Sequence, residues 1–280
     1  MLISVIIPTL GRYTELAGCL DRLAPGAQTL PADHYEVIVT DDVRGAAAGP
    51  LIKNGYPWAK WCAGPGRGLA ANRNNGARIA GGEWLVFTDD DCRPPGGWLK
   101  AYAEAFAANS DCQVVYGGVY TDRPRRSLAE TAPTYRRWSR LFVGCNFAIR
   151  KELYSAMGGH DEGFPYCWME DVELNVRLEK SGVKKLFVES ASTCHPWRLY
   201  GGHEESRRQR EGMLFFLKRH PDQKKTVNPA YFIGLSIKTM LSDTIPGFFI
   251  FRGRGVSSAL VWHFECWKNA YLLFRDYYKR

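Results

Sequence analysis

With 280 residues, 45% of them hydrophobic and 13% aromatic, the chain has enough apolar mass for one large α/β domain or for a domain plus a helical appendage. Those proportions exclude intrinsic disorder, low complexity and a many-pass membrane protein. The net charge of +8 is uneven: residues 203–280 carry 14 Lys/Arg against 7 Asp/Glu, a net +7, which leaves +1 for everything before them.

The first apolar run, LISVII at 2–7, is β-branched and ends at Pro8, and Tyr13–Leu23 then carries apolar residues at helical spacing. A second strand is predicted at 35–40 (YEVIVT), ending in Asp41 and Asp42. Gly64-Pro-Gly-Arg-Gly68 reads as a loop, and Leu69–Ala80 as an Ala-rich helix stopped by Gly81-Gly82. A third strand at 83–88 (EWLVFT) ends in Asp89, Asp90 and Asp91. Further on, helices are predicted at 98–108, 151–157 and 170–180, and strands at 113–120, 144–150 and 185–189. From about residue 203 the pattern turns wholly helical, with Pro229 and Pro246 as breaks.

Alternating strands and helices predict a Rossmann-like, mostly parallel central sheet flanked by helices, in a catalytic domain of 1–202 with a basic, aromatic-rich helical extension at 203–280. Ligands of such sheets bind at the carboxyl ends of the strands, where Pro8, Thr9, Asp41, Asp42 and Asp89–Asp91 gather. Three adjacent aspartates can be a solvated turn. At the end of an apolar strand they also suit a Mg2+ or Mn2+ ion bridged to phosphate oxygens. Glu170 and Asp171 open a helix, where acidic residues complement the helix dipole; the functional alternative makes Asp171 a general base for an acceptor hydroxyl.

The motifs SVIIPT, VIVTDD, GLAANRNNGARIAGGEWLVFTDDD, GCNFAIRKEL, GGHDEGF and MEDVELNVRL, in this order over about residues 3–200, resemble the family 2 glycosyltransferases. The resemblance implies a glycosyltransferase A fold and a hexose-type transfer that inverts the anomeric carbon in one in-line displacement. It also implies a divalent ion on the D-x-D carboxylates Asp89 and Asp91, with Asp91 the direct ligand. Asp171 matches the catalytic base, with Glu170 beside it. Pro8, Thr9 and Arg12 match the first nucleotide loop, Asp41 or Asp42 the carboxylate that meets the base, Asp89 and Asp90 the nucleotide side of the triplet, and Arg73 with Asn74 the nucleotide-site helix. His195 is a candidate third metal ligand or a structural histidine. Asn146, Trp168 and Arg198 are candidates for donor or acceptor contact. The sequence departs from the family at Asn72, His160 and Glu173, where Ala, Phe and Asp are frequent; none of these removes a catalytic group.

The implied partners are a nucleoside-diphosphate sugar, UDP favoured with GDP or dTDP open, and a saccharide or polyprenyl-linked glycan acceptor. For the tail two readings stay open. One is packing on the catalytic domain. The other is peripheral membrane contact through 231–280, where Phe248, Phe249, Trp267 and Tyr271 interleave with Arg252, Arg254 and Lys268. Lys238, Asp243 and Pro246 interrupt the one stretch apolar enough to suggest a span. The eight cysteines show no C-x-x-C pair, and the N-terminus has no basic segment before its short apolar run, so the chain is expected in the cytoplasm, with the inner face of the cell membrane as its alternative site. A nucleotidyltransferase would want a glycine-rich basic N-terminal loop in place of SVIIPTLGR. A nucleic-acid-binding module would need a reading element that the sequence lacks. No nucleic-acid partner is expected.

Overall fold

The computed structural model describes residues 1–43, 45, 48–134 and 141–275, so residues 276–280 of the tail lie outside the described residues. The strands are β1 Ile3–Thr9, β2 Tyr35–Asp41, β3 Lys60–Ala63, β4 Trp84–Thr88, β5 Val114–Tyr116, β6 Val119–Tyr120, β7 Glu130–Thr131, β8 Asn146–Arg150, β9 Lys185–Phe187, β10 Thr193–Cys194 and β11 Arg198–Leu199. The helices are α1 Tyr13–Leu23, α2 Ala48–Gly55, α3 Leu69–Ile79, α4 Trp98–Ala108, α5 Lys151–Ala156, α6 Glu170–Lys180, α7 Gly202–Arg219, α8 Pro229–Thr239, α9 Ile245–Ile250 and α10 Val256–Leu273. They form two compact units, Met1–Asp122 with Pro133–Pro196, and Arg123–Ala132 with Trp197–Arg280. Between these units the chain passes at Pro196–Trp197. The second unit also draws in residues 123–132, because β7 pairs antiparallel with β11.

The first unit is built on a seven-stranded sheet in the order β3-β2-β1-β4-β8-β5-β9. Strands β3, β2, β1 and β4 run parallel, β8 runs against both β4 and β5, and β9 is parallel to β5. All seven residues of β1 are buried, as a central parallel strand covered on both faces requires. Alternation sorts its side chains into two layers. Ile3, Val5 and Ile7 join Val37, Val39, Trp84 and Val86 under α1 and α4, whereas Ile6 joins Ile38, Leu85, Phe87 and Phe147 on the side of Tyr154, Leu174 and Leu178. Trp84 stacks on Phe106 of α4 with ring centroids 3.7 Å apart.

The sequence differs from the structure at three places that have a physical cause. Helix α2 and the edge strand β3 were not anticipated: β3 has four residues and its ends are exposed, so it carries no apolar run. The strand expected at 113–120 is divided into β5 and β6 around Gly117, where a Cβ would stand 2.0 Å from the carbonyl oxygen of Ala191. Pro246 does not break its helix. The widened π-turn at Met240–Thr244 comes just before it and leads from α8 into α9, relieving the clash that a proline ring makes with the preceding turn. All eight cysteines are free.

Gly117→Ala is expected to lower the stability of the protein by about 2 kcal/mol, since the new methyl group meets backbone rather than a side chain that can yield. A urea unfolding midpoint unchanged by the substitution would refute the close approach.

Candidate active site

The carboxyl ends of β1, β2 and β4 lie on one rim of the sheet. Because β8 is antiparallel to β4, with Thr88 opposite Asn146, the segment leading into β8 arrives at that same rim. Asp89–Asp91 follow β4 there, Thr9 and Arg12 follow β1, and Gly144 precedes β8. Helix α6 brings Glu170 and Asp171 in its first turn, and it starts from Met169, which holds a left-handed φ of 73°. For a residue with a side chain that conformation is strained. It sets the entry angle of the two acidic residues that follow.

Arg73 joins the two carboxylate motifs. Its guanidinium is buried on α3 and donates from Nη1 to Glu170 Oε1 at 2.8 Å and from Nη2 to Asp89 Oδ1 at 3.0 Å. Gly144 lies beneath it: a Cβ there would stand 2.8 Å from Arg73 Nη2, and the Gly144 amide donates to Asp171 Oδ2 at 2.8 Å. The second oxygen of Asp171 accepts from the Val172 amide at 2.8 Å. Burial raises the Glu170 carboxyl above the usual range, the Asp171 charge adds to this, and Arg73 opposes it. Burial raises Asp171 too, against Arg73 and the two backbone donors.

On the other side of the triplet, Asp90 is buried and accepts from Thr9 Oγ1 at 2.7 Å and from Arg12 Nη2. Arg12 also donates from Nη1 to Asp91 Oδ2 at 2.6 Å. Burial pushes the Asp90 carboxyl up to about 7 despite the pull of Arg12 and Thr9. Asp91 Oδ1 is buried without a hydrogen-bond partner, and His195 Nε2 lies 3.3 Å from it. His195 Nδ1 faces the Pro196 carbonyl at 2.8 Å, so Nδ1 carries the proton. In the neutral ring Nε2 then presents a lone pair to a carboxylate oxygen. A nitrogen lone pair next to a carboxylate oxygen is a pair of donors that a divalent cation can take as neighbouring ligands.

Asp91 and His195 offer donor types that Mg2+ or Mn2+ accepts, while Asp89 Oδ1 is occupied by Arg73. Among the described residues no group of three or more His, Cys, Asp or Glu side chains is placed to hold a metal ion by itself. An ion that keeps water and phosphate oxygens in its coordination shell does not need one.

Other residues singled out from the sequence are placed differently. Asn146 is fully buried, accepting from Trp98 Nε1 and Tyr102 Oη at 2.9 Å each and donating to the carbonyls of Gly118 at 2.8 Å and Ala191 at 2.9 Å. With all four of its bonds made inside the protein, it is a core brace and cannot reach a sugar. Asn74 is likewise committed, to Tyr154, to both backbone groups of His160 and to Glu162, so it fixes the GGHDEGF loop. Asp41 accepts from the amides of Val43 and Ala48, and Asp42 from those of Gly66 and Gly68, which ties the glycine-rich loop to the end of β2. Pro8 is buried within β1. Trp168 is half-buried in the loop before α6. Arg198 belongs to the second unit, with Glu205 at 3.7 Å.

Two contributors escaped the sequence reading. Gly144 supplies both an amide and an empty space, and its signal was only a glycine that opens the predicted strand and the GCNFAIRKEL motif. Asn72, where the family often has Ala, ties the ends of β1 and β2 together by donating to the carbonyls of Thr40 at 2.8 Å and Thr9 at 3.4 Å.

Residues 4–160 match the sequence model of glycosyl transferase family 2. Validoxylamine A glucosyltransferase of Streptomyces hygroscopicus subsp. jinggangensis is 25% identical over 268 residues, covering 79% of this chain and 61% of the relative. An uncharacterized glycosyltransferase of Haemophilus influenzae is 32% identical over 169 residues, covering 56% of each. The chain thus spans about three fifths of the length of the curated relatives it matches. The structure of a mannosyltransferase from Pyrobaculum calidifontis in complex with GDP-Man and Mn2+ superposes with a TM-score of 0.62 at 18% identity, covering 99% of this chain and 88% of the other. At that identity the likeness shows the fold, and it is the glycosyltransferase A fold.

Two outcomes follow from this geometry. Arg73→Ala removes the partner of a buried carboxylate and should cost about 3–5 kcal/mol of stability, read by urea denaturation. Glu170 has a folded pKa above its unfolded value, so the native state binds more protons than the unfolded chain between the two values. Its contribution to stability is full at low pH and is lost as pH rises through the folded value. In EDTA, the melting temperature of the wild type should therefore fall more steeply between pH 5 and 8 than that of Glu170→Gln; parallel curves would count against a raised Glu170.

Proposed function

The chain belongs to glycosyl transferase family 2, and we propose that it transfers a hexose-type sugar from a nucleoside diphosphate to a hydroxyl of a saccharide or lipid-linked glycan, with inversion. The observation that carries this reading is Arg73. A single buried guanidinium sets the carboxylate triplet, suited to the diphosphate side of a donor, against Glu170 and Asp171, suited to the acceptor side.

In this reading Asp91 and His195, with Asp89, hold Mn2+ or Mg2+, which when bound neutralises the departing diphosphate. Arg12, whose guanidinium is half exposed, adds positive charge on the same side. The acceptor oxygen attacks the anomeric carbon opposite the diphosphate. As the new C–O bond forms, the bond to the diphosphate oxygen breaks and the hydroxyl proton passes to Asp171. A carboxylate raised by burial is better matched to that proton than an exposed aspartate. Glu170, held by Arg73, keeps the first turn of α6 in place. The loop clamped by Asp42 at the end of β2 is the proposed seat of the nucleotide base, with UDP favoured and GDP or dTDP as alternatives. The complex of the Pyrobaculum mannosyltransferase with GDP-Man and Mn2+ supports a nucleoside diphosphate donor and a divalent ion.

A thermal-shift panel of UDP, GDP, dTDP, CMP and ATP, each with Mn2+ and with EDTA, tests the donor class, since a ligand bound only by the native state raises the melting temperature. One diphosphate should respond, and only with Mn2+; a response to ATP or CMP alone would instead favour a nucleotidyltransferase. Asp171→Asn should reduce transfer by roughly a thousandfold or more while retaining that shift, because it removes the base alone. Asp91→Ala should lose both. Equal loss of nucleotide binding in the two variants would contradict this division of roles.

A further inference from the structure

Helix α10 inverts the usual arrangement of a helix that faces water. Leu260, Phe264, Trp267, Tyr271 and Phe274, the last just past its end, are between 52% and 62% exposed, whereas His263, Glu265 and Asn269 are buried alongside Ala259, Cys266, Ala270 and Leu273. The exposed residues recur at intervals of four, three, four and three, so they form one continuous apolar stripe along the helix.

The buried polar groups hold that stripe outward. His263 faces Ser236 Oγ through Nδ1 at 2.9 Å and Thr244 Oγ1 through Nε2 at 2.8 Å. Glu265 accepts from His203 Nδ1 at 2.6 Å and from Arg210 Nη1 at 3.2 Å, and Arg210 also donates to Asn269 Oδ1 at 3.0 Å. Turning α10 to bury its aromatic residues would break these bonds and strand a buried carboxylate, a far larger loss than the apolar gain. Helix α9, just before it, adds Phe248, Phe249 and Ile250, exposed to 46%, 74% and 71%. Of the 17 exposed large apolar residues among the described ones, 12 lie between Tyr231 and Phe274, a concentration that marks an interaction surface rather than scatter.

Charge identifies the partner. Lys238 on α8, Arg252 and Arg254 in the turn between α9 and α10, Lys268 on α10 and Arg275 just past its end are exposed. The acidic residues among 229–275 are Asp243, bound to Arg125 at 2.7 Å, and Glu265, buried in the network above. A second copy meeting this face would set cations against cations. A surface of anionic headgroups over an apolar interior suits both features, with aromatic rings at the boundary and Lys/Arg at the phosphates. No helix among the described residues is long and apolar enough to cross a membrane, so the contact lies in the interface.

We infer that the helices α8–α10 dock the protein on the surface of an anionic bilayer, with the Leu260–Phe274 stripe and the Phe248–Ile250 end of α9 entering the headgroup boundary. Co-sedimentation of the full chain with vesicles tests this, using phosphatidylcholine alone and phosphatidylcholine mixed with phosphatidylglycerol. The protein should sediment with the mixed vesicles, much less with the neutral ones, and be released by salt. Phe249→Ser combined with Ile250→Ser, both at exposed positions, should weaken binding on the order of tenfold with the melting temperature unchanged. Arg252→Gln combined with Arg254→Gln should weaken it by a similar, on the order of tenfold, factor at low salt. Failure to bind anionic vesicles, or binding indifferent to both pairs of substitutions, overturns the inference. So does a dimer in sedimentation velocity that Phe264→Glu dissociates, which would show that a second copy covers the stripe.

Discussion

The geometry of the site depends on the burial of one arginine. A guanidinium cannot shed its proton, so Arg73 enters the interior as a charge and requires carboxylates at fixed directions. It finds Glu170 and Asp89, and those two residues come from elements far apart in sequence, the end of β4 and the start of α6. Satisfying the charge therefore fixes the spacing between the triplet and the Glu170-Asp171 pair. Gly144 completes the arrangement by leaving room for the guanidinium and giving an amide to Asp171. A buried ion pair of this kind adds little net stability, but it specifies position, and breaking it is costly.

Around that pair the protein accumulates negative charge that its own cations do not fully offset. Asp89, Asp90, Asp91, Glu170 and Asp171 share Arg12 and Arg73 between them. Burial, with the neighbouring carboxylates adding to it, raises the Asp90 carboxyl, and one carboxylate oxygen of Asp91 has no hydrogen-bond partner and faces a histidine nitrogen. Such a rim is poorly suited to bare phosphate, which is why the proposed function places a cation there. The left-handed Met169 belongs to the same economy: local strain is tolerated where it aims the acidic turn of α6.

The second unit follows a different rule. On α10 the polar His263, Glu265 and Asn269 are turned inward into hydrogen bonds and Leu260, Phe264, Trp267 and Tyr271 are left outside, next to an apolar core that includes Phe216, Leu217, Phe232 and Leu273. An inward network with every member paired gives a helix little freedom to rotate, so exposed aromatic residues persist that a free helix would hide. The first unit obeys ordinary partition, apolar within and polar at the strand ends, because its sheet is covered on both faces.

How much of this was legible in the sequence depended on the range of the interaction. Period and punctuation are local, so the strands ending in Thr9, Asp41 and Thr88, and the acidic start of α6, were readable from apolar runs closed by proline, glycine or aspartate. Edge strand β3 and helix α2 carry too little periodic pattern to announce themselves, and the divided strand at Gly117 results from a carbonyl at residue 191. Asn146 and Asn74 illustrate the other limit: an asparagine near a site looks the same in sequence whether its amide faces a ligand or braces the core. By itself the sequence determined which groups reach the rim, through strand order and the residues that end each strand. Only the tertiary structure decided which of those groups are free to act, because hydrogen-bond partners and burial are set by segments a hundred residues away. The same holds for the tail, whose composition gave aromatic and basic residues while the fold alone determined that the aromatic ones face outward.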